Sequence, residues 1–205
     1  MKTESLPILF LAACILALAA TPSCNRPGTP EPTVSAADSI LSADLSRQGI
    51  MFALSGQKET ALQIFDEAIK ANPLNANAYG GRGMVKLGLD DLEGAYDDAS
   101  RAIEMDSLNG DWYGNRSYIS MLWGKYPEAL ADLDRSVSLS PKYSWAYVKR
   151  GNVRFLMNDT SGACSDWKVA AGMGEQEAID SALLHCPGFT PEEPPVTVIT
   201  KVIEE

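Results

Sequence analysis

Histidine is nearly missing from this sequence: His185 is the single one in 205 residues. That leaves little scope for imidazole acid–base chemistry at neutral pH or for a nitrogen-rich metal site. Positive charge is also short. Seventeen Lys and Arg face 27 Asp and Glu, for a formal net charge of −10. No basic patch stands out of the kind a phosphate backbone requires, so nucleic acid is excluded as a partner. The four cysteines, Cys14, Cys24, Cys164 and Cys186, are dispersed with no CxxC pair, which argues against a zinc site. Catalytic signatures are lacking too: there is no phosphate loop, nucleophile triad or pair of catalytic carboxylates. Ser55-x-x-Lys58 has the letters of a Ser–Lys motif but falls in a turn between two helices, where the lysine is solvated. What the chain does have is 45% hydrophobic side chains, enough for one core and too many for a disordered polymer. Composition therefore predicts a non-catalytic globular protein with tails, needing neither cofactor nor metal.

The tails come first. Leu6 to Ala20 is almost unbroken apolar, short for a spanning helix and suited to the core of a secretory signal peptide. Ala20-Thr21-Pro22-Ser23-Cys24 then puts a small residue directly before a cysteine. This resembles the cleavage box of bacterial lipoproteins, although Thr21 stands where that family prefers Leu, Ile or Val. The resemblance implies removal of residues 1–23, lipidation of Cys24 and attachment to the cell envelope. Asn25, in place of an inner-membrane retention aspartate, implies the outer membrane. Cysteine arithmetic agrees. Cys14 leaves with the signal, and lipidating Cys24 leaves an even number, Cys164 and Cys186, in an oxidising compartment. Cleavage after Ala19 is the alternative, giving a soluble periplasmic or secreted protein. Residues 24–41, with Pro27, Pro30 and Pro32, read as a stiff tether with nothing to bury.

The middle of the chain repeats. Ala61, Ala95, Ala129 and Ala163 are spaced by 34 residues. Gly49, Gly83 and Gly151 share that spacing, with Ser117 in the missing place. Tyr79, Tyr113 and Tyr147 recur in step, as do Ala68, Ala102, Ser136 and Ala170. Pro73 and Pro141 close two of the units. Several columns agreeing at one period across four copies resemble the tetratricopeptide repeat, a helix–turn–helix unit. The copies are 42–75, 76–109, 110–143 and 144–177. The resemblance implies an all-α fold: a right-handed superhelical solenoid of four repeats, with a capping helix over 178–186 and a tail over 187–205. Small side chains at the Gly and Ala columns let the two helices of a unit approach, where a larger residue would overpack by about 1–3 kcal/mol. Phe65, Leu133 and Trp167 on second helices fill the space between units. Gly56, Asp90, Gly124 and Asn158 share the turn column and tolerate positive φ.

Two charged columns run together. Arg82, Arg116 and Arg150 recur at 34, and so do Asp98, Asp132 and Asp166; the first repeat lacks both members. They read as structural ion pairs between first and second helices, within a repeat or to the next, since each Asp would neutralise its Arg. An arginine row for an acidic ligand is the competing reading. At the C-terminus, Ala178, Ile179, Ala182 and Leu183 make a helical apolar stripe that would cover the last open face. The stretch 162–168 followed by a helix and a cysteine is similar to the ends of exported bacterial repeat proteins. That similarity implies a disulfide between Cys164 and Cys186 pinning the cap. Val196 to Ile203 is β-prone, yet composition favours an unstructured tail.

In the tetratricopeptide-repeat family the first helices line a concave groove that takes peptide segments. Carried over by position, Met84, Tyr118, Met121, Asn152 and Phe155 face that groove here, with Trp145 near its rim. Ser46 and Ile50 stand where one groove type places a Lys–Asn clamp for a C-terminal carboxylate, so that clamp is absent. The expected partner is another protein or peptide segment, with a membrane link only through the N-terminal lipid. A glycan or other small ligand stacked on Tyr118 and Trp145 is the alternative. A core role for these side chains is the plainer reading.

Overall fold

The computed structural model describes residues 34–191. The signal-peptide reading over 1–23, Cys24 and most of the tether, and the tail beyond Pro191, lie outside the described residues.

The described residues form nine helices and no strand: α1 (Ala36–Leu54), α2 (Lys58–Ala71), α3 (Ala76–Leu87), α4 (Leu92–Met105), α5 (Gly110–Leu122), α6 (Tyr126–Leu139), α7 (Ser144–Leu156), α8 (Thr160–Gly172) and α9 (Gln176–His185). Each odd helix from α1 to α7 packs on the even helix that follows it, and each even helix packs on the next odd one. The odd helices also touch in sequence, α1 to α3, α3 to α5 and α5 to α7. The result is two layers of helices stacked pair by pair, with α9 laid against α8.

The turn column does what its residue types allow. Gly56, Asp90, Gly124 and Asn158 all take positive φ, from 62° to 80°, which ends the first helix of each pair at the same place. Only glycine does this freely; Asp and Asn follow because their short side chains tolerate the left-handed region. The next helix is then started by a polar cap in two of the four units: Asp91 accepts from the Gly94 N–H and Asp159 from the Gly162 N–H, each at 2.9 Å. Asn75 and Asn109 cap α3 and α5 in the same way.

The first helix is longer than the repeat pattern implies. Residues 36–41 were expected in the tether, but α1 begins at Ala36, with the Ser35 hydroxyl accepting from the Asp38 N–H at 3.1 Å. Beyond Pro32 no proline interrupts, and Ser35 followed by Ala36 and Ala37 is a strong start signal once a cap is in place.

The core is a column of small residues interleaved with large ones. Ala61, Ala95, Ala129 and Ala163 are essentially fully buried, as are Ala68, Ala102, Ser136 and Ala170. Phe65, Leu133 and Trp167 are buried beside them. Three clusters result, around Phe65, around Leu133 and around Trp167.

The Arg and Asp columns meet. Arg82 donates Nε and Nη2 to the two carboxylate oxygens of Asp98 at 2.9 and 2.6 Å; Arg116 does the same to Asp132, and Arg150 to Asp166. Each of these aspartates is buried. The third guanidinium nitrogen reaches backward to the preceding pair of helices. Arg82 Nη1 meets Asp66, Arg116 Nη1 meets Ser100 and Arg150 Nη1 meets Asp134. Each arginine therefore bridges its own second helix and the previous one. Residues 66, 100 and 134 form a further column at the same period that the sequence reading did not single out. Tyr79, Tyr113 and Tyr147 lie under the three guanidinium groups at 5.4–6.0 Å, so the tyrosine column also shields the charge it sits beside. Arg82, bonded chiefly to Asp98, and Arg116, bonded chiefly to Asp132, are held above their already high pKa; for Arg150 the aspartate contacts outweigh the opposing effect of burial.

Candidate functional site

The inner layer, α1, α3, α5 and α7, carries the side chains expected to face a groove. The structure divides them. Met84 and Tyr118 are exposed. With Trp145 they line a recess of about 300 Å³ that also includes Leu87, Asn115, Tyr143 and Lys149. Tyr118 and Trp145 have ring centroids 6.1 Å apart, and Tyr143 stacks on Trp145 at 5.7 Å. Burial, and then the nearby Asp111 charge, raise the Tyr143 phenol above its ordinary pKa, so it is a neutral donor here. Met121 turns the other way and packs half-buried against the Leu133 cluster.

A larger recess of about 380 Å³ lies one repeat earlier, bounded by α1, α3 and α5. Ile50, Leu54, Met84 and Trp112 give its apolar walls, and Asn77, Asn115 and Lys58 are the polar members. Met84 borders both recesses. Gly80 and Gly81 make room for it. A Cβ on Gly80 would fall 2.2 Å from the Trp112 ring, and one on Gly81 would fall 2.4 Å from Phe65. The Trp112 indole nitrogen is buried with no hydrogen-bond partner among the described residues. Trp112, Asn77 and Asn115 were missed in the sequence. The available signal was the Gly80–Gly81 pair, since two adjacent glycines inside a helix need a bulky neighbour to justify them.

Asn152 and Phe155 sit under the cap. The Asn152 side chain accepts from Trp167 Nε1 at 2.9 Å and donates to Glu177 at 2.8 Å. The Phe155 ring packs at a tilt against His185 of α9, with centroids 4.4 Å apart, and against Trp167 at 5.6 Å. Cys164 and Cys186 are joined in a disulfide across α8 and the end of α9. α9 thus covers the inner face of the last repeat around Asn152 and Phe155, and the open recesses lie along α1, α3, α5 and the first half of α7. His185 is used in packing, and the described residues contain no cluster of His, Cys, Asp and Glu that could hold a metal.

Glu177 ties the cap to α7 through Lys149, at 2.9 Å, as well as Asn152. Partial burial pushes its pKa up, but the hydrogen bonds from Lys149 and Asn152 outweigh that and hold it below the ordinary carboxylate value. A lowered folded-state pKa stabilises above the unfolded value and is lost as pH falls through the folded one. Glu177→Gln should therefore melt slightly below wild type at pH 7, by about 0.2–1 kcal/mol for a partly exposed pair. The difference should narrow as pH falls from 7 to about 3, past the ordinary glutamate pKa and toward the lowered folded-state one. Paired thermal melts at the two pH values check this, and an unchanged gap at acid pH contradicts it.

No family model matches the sequence. The chain is 32% identical over 128 residues to human serine/threonine-protein phosphatase 5, covering 62% of this chain and 25% of that protein. It is 43% identical over 60 residues to tetratricopeptide repeat protein 36 of Danio rerio, covering 29% of this chain and 32% of that one. The chain thus spans about a quarter to a third of the length of the curated relatives it matches. Among solved structures, YrrB, a tetratricopeptide-repeat protein with an unusual peptide-binding site, superposes with a TM-score of 0.60 at 21% identity, over 69% of this chain and 74% of that one. The first repeat domain of Spaghetti (RPAP3), solved bound to the HSP90 peptide SRMEEVD, superposes at 0.56 with 19% identity, over 58% and 95%. Among the described residues no helix is long and apolar enough to cross a membrane. Residues 36–185, four stacked helix pairs closed by α9, have the tetratricopeptide-repeat solenoid fold.

Proposed function

We propose that this chain is a non-catalytic scaffold that holds a segment of another protein in the open part of its groove. In this reading it is exported and anchored in the bacterial cell envelope, at the outer membrane, by lipid on Cys24. The observation that carries the binding role is the apolar recess of about 380 Å³ between α1, α3 and α5. A solenoid's inner face has few ways to close such a space, and among the described residues nothing covers this one, while α9 lies over Asn152 and Phe155 of the last repeat. Its chemistry suits an apolar side chain anchored among Ile50, Leu54 and Met84, with Asn77 and Asn115 placed to bond the peptide backbone. Ser46 is buried and spends its hydroxyl on the Ser42 carbonyl, and Ile50 is apolar. Those two positions therefore offer no cation for a terminal carboxylate, and Lys58, at the edge of the recess, donates to the Gly88 carbonyl; an internal apolar segment is the better match. The peptide-binding proteins of the same fold support a segment as the ligand class.

Crosslinked co-purification from native membranes tests this with wild type against a Met84→Asp, Tyr118→Ala double variant. Both side chains are exposed, so the fold should be kept. The partner should be lost by at least about tenfold, as for removal of central apolar anchors. Full retention of the partner would move recognition off the groove. Retention of wild type on a glycan column, lost on Trp145→Ala, would favour the small-ligand alternative at the Tyr118–Trp145 recess. Replacing Cys24 with alanine should shift the protein out of the membrane fraction; unchanged membrane recovery would remove the lipid anchor from the reading.

A further inference from the structure

Among the described residues, the α1 end of the stack carries a second surface, which shares only Leu54 with the groove. Along α1, Ala37, Ile40, Asp44, Arg47, Met51 and Leu54 are separated by alternating steps of three and four, the spacing of a coiled-coil seam. All six are exposed, Ile40 by 72%, Met51 by 68% and Leu54 by 81%. The helix spends its opposite side on the fold: Ser42 and Ser46 are buried toward α2 and Asn75, and Gly49 sits against Phe65. In the next repeat the positions matching Asp44, Arg47 and Met51 are Ala78, Gly81 and Val85. Ala78 and Val85 are buried in the Phe65 cluster, and Gly81 faces the Phe65 ring. The seam is therefore the face by which each later repeat stacks on its predecessor, and α1 has no predecessor among the described residues.

We propose that this seam pairs with α1 of a second copy of the chain, antiparallel, to form a homodimer. The sequence is complementary to itself in that orientation. Setting Ile40 opposite Met51 puts Ala37 opposite Leu54 and Asp44 opposite Arg47, and each contact then occurs twice about the two-fold axis, as an isologous interface demands. In the single chain Asp44 and Arg47 pair along the helix at 2.7 Å, both largely exposed; across the dimer each finds an opposite charge with apolar contacts on either side. A parallel arrangement in register would place Asp44 on Asp44 and Arg47 on Arg47, so the charges select the antiparallel form. Asp44 is already held below the usual carboxylate range, by hydrogen bonds from Arg47 and then Gln48, and so is charged at neutral pH. With only six seam positions on a helix about 28 Å long, the association is a concentration-dependent equilibrium.

Sedimentation equilibrium of the full chain in detergent, over about 1–500 μM, the range expected of a small interface, tests the proposal. Wild type should show mass rising from monomer toward dimer. Asp44→Arg and Arg47→Asp, each alone, should weaken self-association at least about tenfold through two like-charge contacts. Circular dichroism should not change, because both side chains are exposed. Mixing the two single variants should restore dimers, since their seams are then complementary. The double variant Asp44→Arg, Arg47→Asp should dimerise like wild type. A wild type that stays monomeric throughout overturns the proposal and leaves the seam to a helix of another protein. Single variants that associate as wild type does, or a mixture that fails to pair, overturn it as well.

Discussion

Asp98→Ala should lower stability by about 3–5 kcal/mol, the range for breaking a buried ion pair by removing one partner. For a repeat domain of this size that is a fall of roughly 6–20 °C in the thermal midpoint. Asp98 is 3% exposed and faces two cations, Arg82 through a two-bond fork and Lys86 at 2.9 Å. Alanine leaves both in a mostly dry site, with only the exposed Asp66 to answer Arg82. Arg82→Ala is a smaller lesion: Asp98 keeps Lys86, and the empty guanidinium site lies near the surface. The aspartate variant should therefore melt well below the arginine variant. Equal midpoints, measured by far-ultraviolet circular dichroism, would mean that the fork, and not the burial of Asp98, carries the stability. An arginine row serving an acidic ligand predicts the opposite pattern, with little loss in melting for Arg82→Ala and a binding defect instead.

The period of 34 made much of this architecture readable, because each column is a steric demand repeated four times. A small residue is needed wherever helices cross closely, and positive φ wherever the chain reverses. Gly56, Asp90, Gly124 and Asn158 were legible as one column although they are three residue types, since they share that backbone tolerance. The pairing of Arg82, Arg116 and Arg150 with Asp98, Asp132 and Asp166 was legible because the partners appear and vanish together. The backward contacts to Asp66, Ser100 and Asp134 were not, because Ser100 breaks the charge pattern and a hydroxyl at 3.4 Å serves in place of a carboxylate. The groove was the least legible part. Periodicity says which side of a helix faces inward, but it does not say what covers that side. Asn152 has the same phase as Met84 and Tyr118, and Phe155 that of Met121 and Leu87, yet α9 folds over both. Trp112 lies outside the groove phase and enters the open recess only because Gly80 removes the side chain that would have kept it away.

The cap supplies the other large effect. Trp167→Ala should cost about 3–5 kcal/mol, as for deletion of a large buried aromatic. Trp167 is 2% exposed, bonds Asn152 and holds the Phe155 and His185 rings at 5.6 and 5.8 Å. It is the buried contact shared by α7, α8 and α9, so its loss loosens the cap on the last repeat as well as opening a cavity. In a solenoid, coupling runs between neighbours, so the damage should stay at the C-terminal end. Amide exchange should rise across α7–α9 and little in α1–α4. The Cys164–Cys186 disulfide closes a separation of 22 residues, and reducing it should cost wild type about 3 kcal/mol in the chain-entropy account. In the Trp167→Ala protein the cap is already loosened in the folded state, so reduction should cost clearly less. With the distant Asp98→Ala the two losses should add within about 0.5 kcal/mol. Urea unfolding of all three proteins with and without reductant separates these cases. Full additivity for Trp167→Ala would mean that disulfide and tryptophan act on unconnected parts of the fold.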